Sequence, residues 1–164
     1  MSADRLDDLN EPASPDSIVV GHDGSTGASE ALDLALELAE TLKAPLVIAR
    51  SWSIDTAPKA PEEEFGYVSS FAEIGRVVDD NLRADTQAAI AAHPTVAVEF
   101  RVALGQPAEV LIDVAAKARM LVVGSRGRGG FRSLLLGSVS EQCVRHALCP
   151  VLVVRPRHVP DVTV

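Results

Sequence analysis

The stretch Met120-Leu121-Val122-Val123-Gly124-Ser125-Arg126-Gly127, followed nine residues later by Gly137-Ser138-Val139-Ser140, decides how this chain is read. An unbroken apolar run ends in a glycine-rich loop, and the loop leads into polar residues suited to opening a helix. Fully apolar strands belong to parallel sheets, which are covered on both faces. Glycine carries no Cβ, so its backbone can come close to a neighbour or a ligand. The first amides of a helix lack internal partners and carry the positive end of the helix dipole. A strand, a glycine loop and a helix start in that order form a ready cradle for phosphate.

Reading outward, the same alternation recurs along the chain. Residues 17–21 (SIVVG) and 45–53 (PLVIARSWS) read as apolar strands. Between them, Ala31, Leu34, Ala35, Leu38, Ala39 and Leu42 recur at helical spacing, which predicts a helix over 27–43. A second helix is expected over 68–92 and a third strand over 95–103, where TVAVEFRVA alternates. Pro107 is placed to start a helix running to about residue 118. The glycine loop follows strand 120–124, and a last helix (138–147) and strand (150–155) close the pattern. Strand–helix alternation implies an α/β fold, a doubly wound parallel sheet with helices on both faces. Residues 1–16 read as a disordered lead, 17–155 as one domain and 156–164 as a loose tail. The loop at 54–66, with its Glu62-Glu63-Glu64 run, reads as a mobile solvated surface.

Composition narrows the function. The chain has 164 residues, the size of one domain, and 47% apolar residues, enough for a full core. Aromatics are only 4%, so aliphatic side chains must fill that core. Asp plus Glu number 23 against 15 Lys plus Arg, a net charge of −8, which disfavours nucleic acid and anionic membrane as partners. Against that background Arg126, Arg128 and Arg132 concentrate positive charge in the glycine loop, as a small anionic ligand would require. Met1-Ser2-Ala3-Asp4-Arg5 forms no apolar leader, and no run reaches membrane-spanning length. With two cysteines, Cys143 and Cys149, outside CxxC spacing, this predicts a cytoplasmic protein with buried, reduced thiols.

Named catalytic and phosphate motifs are missing. Lys43, Lys59 and Lys117 are the only lysines and none lies in a glycine loop, so there is no Walker motif. Arg132 stands where a dinucleotide fingerprint starting at Gly127 needs its last glycine. No HExxH, paired CxxC or GxSxG occurs, and no side chain is assigned as catalytic or as a metal ligand.

The spacing of Gly124, Gly127, Gly137 and Ser138 resembles the nucleotide-binding form of the universal stress protein family, whose signature is glycine, two residues, glycine, nine residues, glycine, then serine or threonine. The resemblance covers residues 17–155 and includes the opening VVGHDGS, the RSWS after the second strand, the Gly105-Gln106-Pro107-Ala108 turn and the closing GSVSEQCVRHALCPVLVVR. It implies five strands in the order 3-2-1-4-5 and an ATP site at the carboxyl ends of strands one and four. Carried over by position, Asp23 would hold the ribose hydroxyls, and Gly21, Ser51 and Val123 would line the base. Gly124 and Gly127 would approach the ribose and α-phosphate, with Arg126 adding charge. Gly137, Ser138, Val139 and Ser140 would bind the outer phosphates, with hydroxyl donors at Ser138 and Ser140. Mg2+ or Mn2+ would bridge the phosphates without a protein cage.

Two departures stand out. Arg50 replaces a histidine common on the family's second strand, and Ala118-Arg119-Met120 lacks an aspartate common before its fourth.

The implied activity is a nucleotide-dependent regulatory role in stress response, with slow ATP hydrolysis or self-phosphorylation at most. Other readings stay open: a nucleotide-free dimeric interaction module, a cyclic AMP binder using the same site, or an ATP-consuming ligase, which the lack of a second domain disfavours. The apolar strand at 150–154, at a sheet edge in the implied order, predicts a homodimer.

Overall fold

The computed structural model describes residues 11–58, 70–128 and 135–156. Arg132, the Glu62–Glu64 run, residues 1–10 and the tail from 157 lie outside them. In chain order the elements are β1 (Ile18–Gly21), α1 (Thr26–Leu42), β2 (Leu46–Trp52), a 3-10 turn (Ile54–Thr56), α2 (Phe71–Ala91), β3 (Val98–Leu104), α3 (Pro107–Val114), β4 (Met120–Gly124), α4 (Ser138–His146) and β5 (Val151–Val154). The five strands form one sheet in the order β3-β2-β1-β4-β5, and every neighbouring pair is parallel.

Alternation within the strands feeds two apolar layers. Ile18, Val20, Leu46, Ile48 and Val122 pack with α1 and α2, around Leu32, Leu36 and Leu82. Val19, Val47, Ala49, Leu121 and Val123 pack on the other face, with Leu111 and Val114 of α3 and Cys143 of α4. Side chains such as Ile18, Ile48 and Leu82 are wholly shielded from solvent. Each contributes about 1.5–3 kcal/mol by leaving water. The register sets Val19 beside Val47 and Leu121, so the carboxyl ends of β1 and β4 lie together.

Helix starts follow local chemistry. Ser25 caps α1 by accepting from the Ala28 amide at 3.2 Å. Ser70 and Glu73 form a reciprocal capping box on α2, so this helix begins at Phe71 and not at 68.

Three further expectations are corrected. The third strand begins at Val98 because His93 and Val96 close a turn ahead of it, with Thr95 bonded to Glu40 of α1. Helix α3 stops at Val114 and not near 118. Its Val114 carbonyl accepts from the Ala13 amide at 2.7 Å, and Ala118 turns back to Ala115. The same bond revises the expected disordered lead: Ala13 is buried in the α3 layer, and Ser14 and Ser17 are joined through their hydroxyls. Packing therefore begins ahead of residue 17.

Cys143 is buried, and burial pushes its thiol up to about 11, while Cys149 is only half-buried. Among the described residues no helix is long and apolar enough to cross a membrane.

Candidate nucleotide site

The site is built where β1 and β4 end side by side. β1 runs out at Gly21 into the turn His22-Asp23-Gly24-Ser25. Gly24 sits at φ +83°, a left-handed conformation that side chains resist. Asp23 stands at the mouth of the crevice. Its Oδ1 accepts from the Ser25 amide at 3.0 Å and its Oδ2 from the Arg128 amide at 3.1 Å. Withdrawal from bulk water raises the Asp23 pKa, but hydrogen bonds from Ser25 and Arg128 and the charge of Arg128 outweigh it, so the carboxyl is held below its ordinary range. Each oxygen keeps accepting capacity, since a carboxylate offers about four lone-pair sites.

The glycine loop is fitted against this turn. A Cβ on Gly127 would lie 2.5 Å from Asp23 Oδ2, so only glycine leaves that carboxylate in place. A Cβ on Gly124 would lie 2.8 Å from the carbonyl oxygen of Gly27, in the first turn of α1. The start of α4 is tied to the same loop. The Gly137 amide donates to the Ser125 carbonyl at 2.7 Å, and the Ser125 amide donates to Val154 of β5 at 2.7 Å. Gly137 is the N-cap of α4, and among the described residues no side-chain cap bonds its first amides. The amides of Ser138, Val139 and Ser140 therefore open a helix beside residues 125 and 126, with the positive dipole end toward the crevice.

Of the residues singled out in the sequence, Asp23 and Gly127 are in direct contact, as are Gly137 and Arg126, beside the ends of β1 and β4. Gly21 ends β1 and faces Leu111 of α3, and Ser51 lies on β2 next to Ala103 of β3. Val123 is buried on β4 in the α3 layer, so it backs the crevice. Arg126 is half-buried beside Gly137. Ser140 departs from its expected part. Its buried hydroxyl lies 3.0 Å from both the Ser125 and Gly137 carbonyls, so its single proton serves the fold. Gly137 needs no close approach, because a Cβ there would come no nearer than 3.4 Å to the Ser125 carbonyl.

Sequence reasoning missed the polar cluster behind the turn. Arg50 of β2, 9% exposed, donates from Nε to the His22 carbonyl at 2.7 Å and from Nη2 to Asp85 of α2 at 2.7 Å. The same Nη2 lies 2.9 Å from His22 Nδ1, which also accepts from the Gly24 amide at 3.2 Å. The one available signal was an arginine inside an otherwise apolar strand, since buried charge demands partners. Ser125 was likewise quoted without a role. Among the described residues no group of three or more His, Cys, Asp or Glu could hold a metal ion.

Comparison with known proteins agrees with this geometry. The model of the universal stress protein family matches residues 15–155. A universal stress protein of Mycolicibacterium smegmatis is 37% identical over 142 residues, covering 85% of this chain and 46% of the relative. This chain thus spans about half the length of the curated relatives it matches. A solved universal stress protein in complex with cAMP is 29% identical, with a TM-score of 0.55, covering 87% of this chain and 98% of that one. One from Archaeoglobus fulgidus in complex with dAMP shares the fold at 20% identity, with a TM-score of 0.58 and coverage of 87% and 96%. A β3-β2-β1-β4-β5 sheet, an intact glycine signature and a family match along nearly the whole domain agree: this chain belongs to the universal stress protein family.

Proposed function

We propose that this chain binds ATP in the crevice between the His22–Ser25 turn, the Gly124–Gly127 loop and the start of α4, and that occupancy makes it a nucleotide-dependent regulator in stress response. The observation that carries the reading is the N-terminus of α4. Gly137 offers no capping side chain, so three consecutive amides await an acceptor beside the half-buried Arg126. Asp23, fixed by two backbone amides, is an acceptor suited to the ribose diol. Gly21, Ser51 and Val123 would border the base, and Gly124 and Gly127 the ribose and α-phosphate. Ser138, Val139 and Ser140 would meet the outer phosphates through their amides. Mg2+ or Mn2+ would travel with the phosphates and neutralise their charge.

Phosphoryl transfer depends on positioning and electrostatics. With no base assigned near the outer phosphate, hydrolysis would be slow at most. The cAMP complex of a 29% identical relative supports an adenine nucleotide and favours cAMP as the second candidate. That ligand has one phosphate and would use less of the α4 start. We further propose a cytoplasmic homodimer paired along β5, an edge strand flanked by exposed Val144 and Leu148.

Titration calorimetry with ATP and Mg2+, followed by displacement with cAMP, tests the ligand. Heat with ATP and weak displacement support the reading. Silence with every adenine nucleotide would end it. Light scattering that finds a monomer at micromolar concentration would remove the dimer.

A further inference from the structure

The cluster behind the turn has a defined protonation state. His22 Nδ1 faces two donors, the Gly24 amide at 3.2 Å and Arg50 Nη2 at 2.9 Å. A nitrogen that accepts from both carries no proton, so the neutral ring holds its proton on Nε2. Among the described residues Nε2 is buried without a hydrogen-bond partner, a cost of about 1–3 kcal/mol that is borne while Nδ1 is held in place by its two donors. His22 itself is 2% exposed.

The ring and the guanidinium grip the turn from beneath. Arg50 holds the His22 carbonyl and ring, His22 holds the Gly24 amide, and Asp23 lies between those two residues. On the far side Arg50 is anchored by Asp85 of α2. Asp85 Oδ2 and Arg128 Nη2 lie 3.3 Å and 2.5 Å from where a Gly24 Cβ would sit, so α2 and the glycine loop meet over this turn.

We propose that Arg50, acting through His22 and anchored by Asp85, is a positioning residue that aims the Asp23 carboxylate at the nucleotide ribose. The inference rests on the nucleotide reading given above and deepens it. It assigns ribose recognition to a chain of contacts running from α2 through β2 to the β1 turn. Protonation of His22 would put a hydrogen on Nδ1 facing two donors and release the turn. The charged groups facing the ring are Arg50 from β2, Asp85 from α2, Asp23 from its own turn and Arg128 from the glycine loop. Burial, then Arg50, keeps the ring neutral below the ordinary histidine range, against the opposing pull of Asp85 and Asp23.

The test compares affinities for ATP and for 2′,3′-dideoxy-ATP, which shares base and phosphates but lacks the diol. Titrating phosphates affect both compounds alike, so their affinity ratio isolates the ribose. The parent should prefer ATP by about tenfold, the worth of one charge-assisted contact. Arg50→Met and the more exposed change Asp85→Asn should both shrink that ratio toward one, mainly by weakening ATP. His22→Ala should do the same. His22→Asn, whose Oδ1 replaces Nδ1 as acceptor, should recover most of the ratio. In the parent the ratio should hold through pH 6.5, the ordinary histidine value, and fall only at lower pH, as the depressed folded pKa of His22 is approached, and in His22→Asn it should stay flat throughout.

Equal losses for both nucleotides in Arg50→Met and Asp85→Asn would reduce the cluster to a structural prop and overturn the proposal. A parent with no preference for the diol would also overturn it. A parent that binds neither compound would instead refute the nucleotide reading, and the proposal with it.

Discussion

Replacing Gly127 by alanine tests the site where sequence and geometry meet most closely. The new methyl would stand 2.5 Å from Asp23 Oδ2 and 3.6 Å from its Cγ. Ordinary contact between these atoms begins above 3 Å, so the carboxylate must retreat by more than half an ångström. Retreat stretches the bond Oδ2 accepts from the Arg128 amide, now 3.1 Å. Hydrogen bonds to charged groups are worth about 1.5–3 kcal/mol, and water at the crevice mouth returns part of that. A loss of about 1–2 kcal/mol in folding stability is expected, read as a lower urea midpoint at unchanged slope. With Asp23 displaced, ATP affinity should fall about tenfold or more by calorimetry. The cause is separable by a double-mutant cycle. In an Asp23→Ala background the obstructing oxygens are gone, and Gly127→Ala should cost less than about 0.5 kcal/mol. An equal stability loss in both backgrounds would refute the steric argument. A Gly127→Ala variant as stable as the parent, and as tight for ATP, would refute the cradle itself.

Other substitutions separate the roles of the remaining glycines and of the buried groups. Gly75 in α2 has nothing among the described residues within 4 Å of an added Cβ, so Gly75→Ala should raise stability by about 0.5–1 kcal/mol in urea unfolding. Gly124→Ala would press a methyl to 2.8 Å from a backbone carbonyl and should cost about 1–3 kcal/mol, whereas Gly137→Ala, with 3.4 Å of clearance, should cost only the smaller N-cap difference of about 0.5–1 kcal/mol. Ala13→Asp would bury a carboxylate against α3 and should lower the melting temperature, although a disordered residue would tolerate it. His22 has a folded pKa lowered by burial and by Arg50, so below 6.5 the unfolded chain binds a proton the folded chain refuses. Its contribution to stability is complete above pH 6.5 and declines as pH falls toward the folded pKa. Urea midpoints should therefore drop more between pH 7.5 and 5.5 in the parent than in His22→Asn.

What the sequence made legible followed from local rules. Apolar runs such as Val151-Leu152-Val153-Val154 marked parallel strands, because both sheet faces are covered. The observed order β3-β2-β1-β4-β5 agrees with the order the family resemblance implied. What stayed hidden depended on contacts between distant residues. α3 ends early because Ala13, far ahead of it in the chain, takes the Val114 carbonyl. Periodicity in Ala115–Ala118 gives no hint of that. Arg50 looked like a departure from a pattern because its partners, His22 and Asp85, lie 28 and 35 residues away. Spacing of the glycines was plain, yet their reasons differ. Gly127 makes room for a carboxylate and Gly124 for a backbone, while Gly137 leaves helix amides uncovered.

Ser125 has a consequence for protein engineering. Its amide is fastened to the outermost strand and its carbonyl to the residue that opens the last helix, so the neck of the segment between 126 and 136 is pinned shut on both sides. Doubling such a segment adds only about 0.6 kcal/mol of closure entropy. A reporter peptide spliced there would hang from a fixed collar and leave the amides of Ser138–Ser140 where they are.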